Sequence, residues 1–369
     1  MKAAWAALAV AALTGLAYAA PADDVASTAG AHIDNSVTAG LGPDAAPDQS
    51  ASADDAGTIS QDVFSHRDDA YGAFQRGYYL TALALALPRA EKSDPAAQTL
   101  IAEIYANGLG VEEDVSRASN WYALAAKGGD RMAAFELGLL YLNGNGVTED
   151  RKKAAALFQE ASDKGYAPAQ YNLALLHVQG VDASPDLVLA ASLMKSAADS
   201  GLAEAEYDYG NMLIEGAGVA PDTAAGVHEV GLAAAQGLVE AEVDYATILY
   251  LGQGVPRDLH TAVGWYAQAA NAGNAVGQNR YAKLLAVGEG VPQDLKQAAM
   301  WRALARRQGL KDSQLDGLLA GLSPKDLADA EELARFWPSP PPTASEAQPS
   351  AAPAPAPLPS VMDASQPAN

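Results

Sequence analysis

Apolar residues between positions 95 and 310 follow two interleaved periods. Over short stretches they keep helical spacing, as in Ala133, Leu137, Leu140 and Tyr141, or in Ala118, Trp121, Tyr122 and Ala125. Over longer distances the whole pattern returns every 36 residues. A loop glycine opens each interruption at Gly108, Gly144, Gly180, Gly216, Gly252 and Gly288. An aspartate closes the same loop at Asp114, Asp150, Asp186, Asp222, Asp258 and Asp294. A second glycine ends the unit at Gly129, Gly165, Gly201, Gly237, Gly273 and Gly309. Each period therefore predicts a helix, a glycine stop, an aspartate N-cap, a second helix and a second stop. One such hairpin cannot bury its apolar stripe alone. The repeat therefore predicts an all-α solenoid of six stacked helix-turn-helix units, 95–130, 131–166, 167–202, 203–238, 239–274 and 275–310.

The flanks read differently. Residues 1–19 have the form of a secretory signal peptide, with Lys2, an apolar run from Ala3 to Leu16, and Ala17-Tyr18-Ala19 before a cut at Ala20. The run is shorter than the roughly 20 residues of a membrane span, so no stable membrane insertion is expected after cleavage. Residues 20–63 hold eight acids and no lysine or arginine, which predicts a disordered acidic linker. Residues 64–94 predict an N-terminal cap, a degenerate hairpin bearing Tyr71, Phe74, Tyr78, Leu80 and Leu83. Residues 311–337 predict C-terminal capping helices, one over Ser313–Leu319 and one opening at Ser323-Pro324 and running through Phe336. Arg302, Arg306 and Arg307 are expected to give the last repeat a polar outer side. Residues 338–369 hold ten prolines among alanine and serine, which predicts a disordered tail.

Charge and residue usage narrow the chemistry. The net charge of −22 and the lack of any basic cluster argue against nucleic acid. There are no cysteines, hence no disulfide, thiol nucleophile or lipid-anchoring cysteine. His228 and His260 have no ligand partner three or four residues away, and no metal site or cofactor is expected. His177 falls in the apolar column of Tyr105 and Tyr141. The glycine loops lack the lysine of a phosphate cradle. Ser192-Leu193-Met194-Lys195 has the Ser-x-x-Lys spacing of penicillin-binding enzymes, with no accompanying Lys-Thr-Gly or Ser-Asp-Asn.

The unit running from Ala133 through Leu137-Gly138, Tyr141, Gly144-x-Gly146-Val147, Asp150, Lys153-Ala154, Phe158 and Ala161 to Gly165 resembles the Sel1-like repeat. That family is related to the tetratricopeptide repeats. The resemblance implies a right-handed α/α superhelix with the first helices lining its concave face. The third copy departs from the motif at Asp182 and Ala183, and the fourth carries Gly226 and Gly231 inside its second helix. Interior glycines cost about 1 kcal/mol each, so these two units are expected to be the softest.

Surface then carries the functional reading. In the first helices, columns 97, 101, 104 and 105 are apolar in nearly every copy, and column 102 is always glycine or alanine. Columns 99, 103 and 106 fall on the opposite arc and are expected to line the concave side. Units two to four place Phe135, Leu139, Leu142, Tyr171, Leu175, Val178, Tyr207 and Ile214 there, beside Glu136, Asp208 and Asp244. Such a strip suits a partner peptide or protein; packing between units is the competing account of the same residues. The expected protein is a non-enzymatic scaffold or regulator in the bacterial envelope, most simply periplasmic. The alternatives are an envelope hydrolase and a glycan-binding protein acting on peptidoglycan or exopolysaccharide.

Overall fold

Sixteen helices and no strand make up the described residues, 69–180 and 184–339, of the computed structural model. The signal peptide 1–19, the linker 20–63, residues 64–68 of the N-terminal cap and the tail from 340 onward lie outside them. So do Asp182 and Ala183. The chain divides into two compact units, Met1–Gly277 and Gln278–Asn369.

The first unit is built of hairpins. They pair α1 (Asp69–Gln75) with α2 (Tyr79–Ala90), α3 (Pro95–Ala106) with α4 (Val115–Lys127), and α5 (Arg131–Asn143) with α6 (Arg151–Asp163). Next come α7 (Ala167–Gln179) with α8 (Leu187–Asp199), α9 (Ala203–Glu215) with α10 (Thr223–Ala235), and α11 (Val239–Leu251) with α12 (Leu259–Asn271). In every hairpin of this unit but the first, the column aspartate makes two ties. Its carboxylate accepts from the backbone N–H three residues on, as Asp222 does from Ala225 at 3.0 Å, satisfying a free donor of the second helix. Its own N–H donates back to the end of the first helix, as from Asp222 to the Leu213 carbonyl at 2.9 Å.

Small residues set how closely the helices approach. A Cβ built on Gly138 would lie 2.6 Å from the Phe158 ring, which is fully buried. In the fourth repeat Gly210 and Gly226 face each other across the hairpin, and a Cβ on Gly226 would stand 2.5 Å from the Gly210 carbonyl oxygen. Gly226 is thus not slack inside α10. It is the condition for this contact, which offsets its propensity cost. Between hairpins the second loop glycine does the same. Gly218 has φ +72, and a Cβ there would fall 1.9 Å from the Leu187 carbonyl oxygen at the start of the preceding second helix.

The N-terminal hairpin is a shortened repeat. Its second helix, α2, begins one 36-residue period before Val115, and Ser93 stands one period before Gly129. Ser93 keeps the backbone of that glycine column, with φ 62. The first helix and loop are compressed, so Tyr78 sits at the aspartate position without capping α2 through its side chain.

In the second unit, α13 (Ala275–Val287) continues from Gln278 into α14 (Leu295–Arg307), α15 (Ser313–Leu319) and α16 (Pro324–Phe336). Ser323 caps α16, accepting from the Asp326 N–H at 3.1 Å with Pro324 at the first helical position. Arg306 and Arg307 are exposed, but Arg302 is not part of a polar outer side. Arg302 is buried, donates to both carboxylate oxygens of Asp316 and to the Leu310 carbonyl, and so clamps α15. Arg307 donates to the Ala334 carbonyl of α16 at 2.7 Å. Trp301 meets Tyr281 and Trp337 edge-on, at 5.9 and 5.8 Å between ring centroids.

Candidate functional site

Acid outweighs base on the first helices, although the loops and the second helices, with Glu160, Asp163, Asp199 and Glu229, carry carboxylates as well. In the first unit α3, α5, α7, α9 and α11 hold nine carboxylates and one cation, Arg131. Six lysines and arginines sit on α4, α6 and α8, and Lys164 and Arg257 lie in loops. Two of the nine, Glu206 and Glu242, turn inward toward their own second helices. The rest, with the N-cap Asp130, leave the first helices net negative despite Arg131.

Column 99 does not simply line a surface; it reaches forward to the next unit. The Thr99 hydroxyl donates to Asp130 at 3.1 Å. Phe135 packs edge-on against Tyr166 at 5.3 Å between centroids. The Tyr171 hydroxyl donates to Asp208 at 3.0 Å, and that of Tyr207 to Asp244 at 2.6 Å. In the second unit the Asn279 amide donates to Asp312 at 2.7 Å, beside Lys283 at 2.6 Å from the same oxygen. Tyrosine and asparagine thus staple one element to the next.

The eight strip residues accordingly separate. Phe135, Leu175 and Val178 are buried in the core, Val178 completely. Leu139, Leu142, Tyr171, Tyr207 and Ile214 are half-buried and pack against the same clusters. The apolar character of columns 99, 103 and 106 therefore serves packing first, and what the face leaves in contact with solvent is a mixed surface. Those five side chains alternate on it with Glu103, Glu136, Asp208 and Asp244.

Loss of hydration on this face raises its acids. Glu103 is pushed up to about 7, first by burial and then by the charges of Glu136 and Asp130. Glu136 rises to about 7 by burial. Asp208 also rises to about 7 by burial, against the hydrogen bond from Tyr171 and with a contribution from Glu204. These folded-state values lie above those of unfolded carboxylates. Below about pH 4 both states hold the proton and nothing is lost. Between there and pH 7 the unfolded chain ionises first, so stability falls as pH rises; above 7 the full penalty is present. Urea unfolding midpoints should therefore increase as pH drops from 8 to 5.5. Glu136→Gln should flatten that slope by more than one group's share, because it also relieves Glu103. An equally steep slope in the variant would refute the assignment.

A buried polar column escaped sequence reasoning. Gln98, Gln170, Glu206, Glu242 and Gln278 occupy one position of the first helix. Gln236 donates to Glu206 at 2.8 Å, Gln268 to Glu242 at 2.5 Å, and Gln308 to Gln278 at 3.1 Å, tying each first helix to the end of its own second helix. Glu242 is 2% exposed, and its other carboxylate oxygen has no hydrogen-bond partner. Burial raises its pKa, against the Gln268 amide and with the charge of Glu240 adding to it. The signal available in the sequence was a glutamine or glutamate in five of six copies within an otherwise apolar stripe.

The Ser-x-x-Lys pattern does not assemble a nucleophile and base among the described residues. Ser192 is exposed on α8, and Lys195 pairs with Asp199 at 2.6 Å rather than with that serine. Among the described residues no group of three His, Cys, Asp or Glu side chains could hold a metal ion. Nor is any described helix long and apolar enough to cross a membrane.

A family model for the Sel1 repeat matches residues 95–130, 131–166, 167–202, 203–237, 239–274 and 275–310. No curated protein matches the sequence. Among solved structures, the chain is similar to c5321, a protective antigen of uropathogenic Escherichia coli strains with an SLR fold. That match has 22% identity and a TM-score of 0.62, and covers 74% of this chain and 61% of that one. The chain thus spans about three fifths of the E. coli protein. It is also similar to a Sel1 repeat protein from Oxalobacter formigenes, at 26% identity and a TM-score of 0.58, covering 66% of this chain and 98% of that one.

Proposed function

Because the chain belongs to the Sel1 repeat family, whose members are in general scaffolds for protein–protein contact, we propose that it is a non-enzymatic scaffold of the bacterial envelope. Its first-helix face takes a partner segment that carries apolar side chains flanked by lysine or arginine. The observation that carries this reading is the segregation of charge. The first helices of the first unit hold nine carboxylates against one cation, Arg131, with half-buried Leu139, Leu142 and Ile214 between them, whereas their second helices hold six lysines and arginines against four carboxylates. A cationic segment would neutralise desolvated acids that have no cation of their own, which strengthens both orientation and association rate. The envelope location rests on the signal-like residues 1–19, and the periplasm is the simplest destination.

Immobilised full chain, offered envelope extract, should retain a partner that about 0.5 M salt releases. The Glu103→Lys, Glu136→Lys double variant, with unchanged circular dichroism, should lose it. Retention by the variant would move the contact off this face. No capture by either would count against a scaffold and favour the glycan or hydrolase readings.

A further inference from the structure

At the N-terminal end of the described residues, Leu85 of α2 lacks the preceding hairpin that covers its column elsewhere, and the solvent-facing positions around it are uncharged. The outward positions of α2 are Leu80, Thr81, Ala84, Leu85 and Pro88, all exposed and none charged. One period later α4 places Ser116, Arg117, Asn120, Trp121 and Leu124 at the same positions. Leu80 is 62% exposed and Tyr78 61%, with Tyr71 on α1 and Leu85 each at 42%. The column of Leu85 shows what this face is for. Trp121, Leu193 and Trp265 occupy it in later repeats, and each packs against a core cluster to which the preceding hairpin contributes. Leu85 has no preceding hairpin among the described residues. A terminal repeat ordinarily turns a polar side outward, and this one does not.

We propose that residues 59–64 of the same chain seat on this face. Ile59, Val63 and Phe64 are the only isoleucine, valine, leucine or phenylalanine residues between Leu41 and Asp69. They join α1 through four residues, Ser65 to Asp68, a link that reaches about 13 Å. Tethering over so short a span gives an effective concentration in the millimolar range, which lets a small apolar contact form. A second copy is disfavoured by area. Four partly exposed side chains offer on the order of 400 Å², taking about 150–250 Å² for each aromatic. Stable association buries about 800 Å² on each partner. The segment closes an end that would otherwise adhere to other apolar surface.

Arg67 reports on this seat, because it is the only lysine or arginine between Lys2 and Arg76. Limited trypsin treatment of the full chain should cut after Arg67 slowly. Val63→Asp with Phe64→Asp, and separately Leu85→Asp, should speed that cut at least tenfold, while cleavage after Lys127, an exposed reference within the first repeat, stays unchanged. The segment-side variant lies outside every repeat, so it decides the matter even if Leu85→Asp loosens α2. Equal cutting in wild type and that variant would overturn the proposal. So would wild-type protection that appears only as protein concentration rises, since a second copy would then be the occupant.

Discussion

Gly218→Ala should lower stability by on the order of 4 kcal/mol, whereas Gly165→Ala should cost about 1 kcal/mol. The two glycines have the same φ, +72, so the backbone strain of adding a Cβ is matched. Their surroundings differ. A Cβ on Gly165 meets nothing within 4 Å, while one on Gly218 falls 1.9 Å from the Leu187 carbonyl oxygen, inside any tolerable contact. The obstacle is backbone, which cannot swing aside as a side-chain tip can, so the loop of the fourth repeat must move off the third. Urea unfolding and hydrogen exchange of α8 and α9 would measure both variants. Equal losses would show that the loop shifts freely and that the contact does not fix neighbouring repeats.

Phe158→Ala is expected to cost about 4 kcal/mol, through lost burial and the cavity left behind. Phe158 is fully buried, faces Gly138 of α5, and lies 5.6 Å from the Phe135 ring. The same geometry predicts a dependence between positions. Alone, Gly138→Ala drives a methyl into the Phe158 ring at 2.6 Å and should destabilise by about 1–3 kcal/mol. In a Phe158→Leu background the methyl enters vacated space, and its cost should shrink by about 1–2 kcal/mol or reverse. A double-mutant cycle reads this directly, and simple additivity would mean that the two residues do not share the contact.

Much of the fold was legible because its constraints are local. A loop glycine, an aspartate three residues before the donor it caps, and a closing glycine each act within one turn, and each leaves a column in the sequence. The face of a helix was legible too: columns 97, 101, 104 and 105 pack inward, as with Ala97, Ile101 and Ile104. What the residue pattern could not supply was the neighbour. Helical spacing places Tyr171 and Tyr207 on an arc, yet their hydroxyls extend well beyond Cβ and end on carboxylates of the following repeat. A strip that reads as lining is therefore half staple. Arg302 misled for the same reason. It counts as polar in a helical wheel, but its guanidinium is buried against α15 and pairs with Asp316, which itself stays exposed. The polar column through Glu206 and Glu242 failed differently, since period and polarity conflict there and only the glutamine opposite resolves the conflict.

The contact of Gly218 with Leu187 also constrains how the gene for such a chain can change length. The ties between neighbouring repeats of the first unit, such as Tyr171 to Asp208 and Tyr207 to Asp244, join a position to one near its own place in the following period. Loss or gain of a whole 36-residue period rejoins equivalent ends, and the carbonyl at the start of one second helix again meets a loop glycine. Loss of 35 residues would place a side chain where that glycine must stand and turn the capping aspartate away from its helix. Lineages of this protein should therefore differ in length by whole repeats, with single-residue changes confined to the segments outside them.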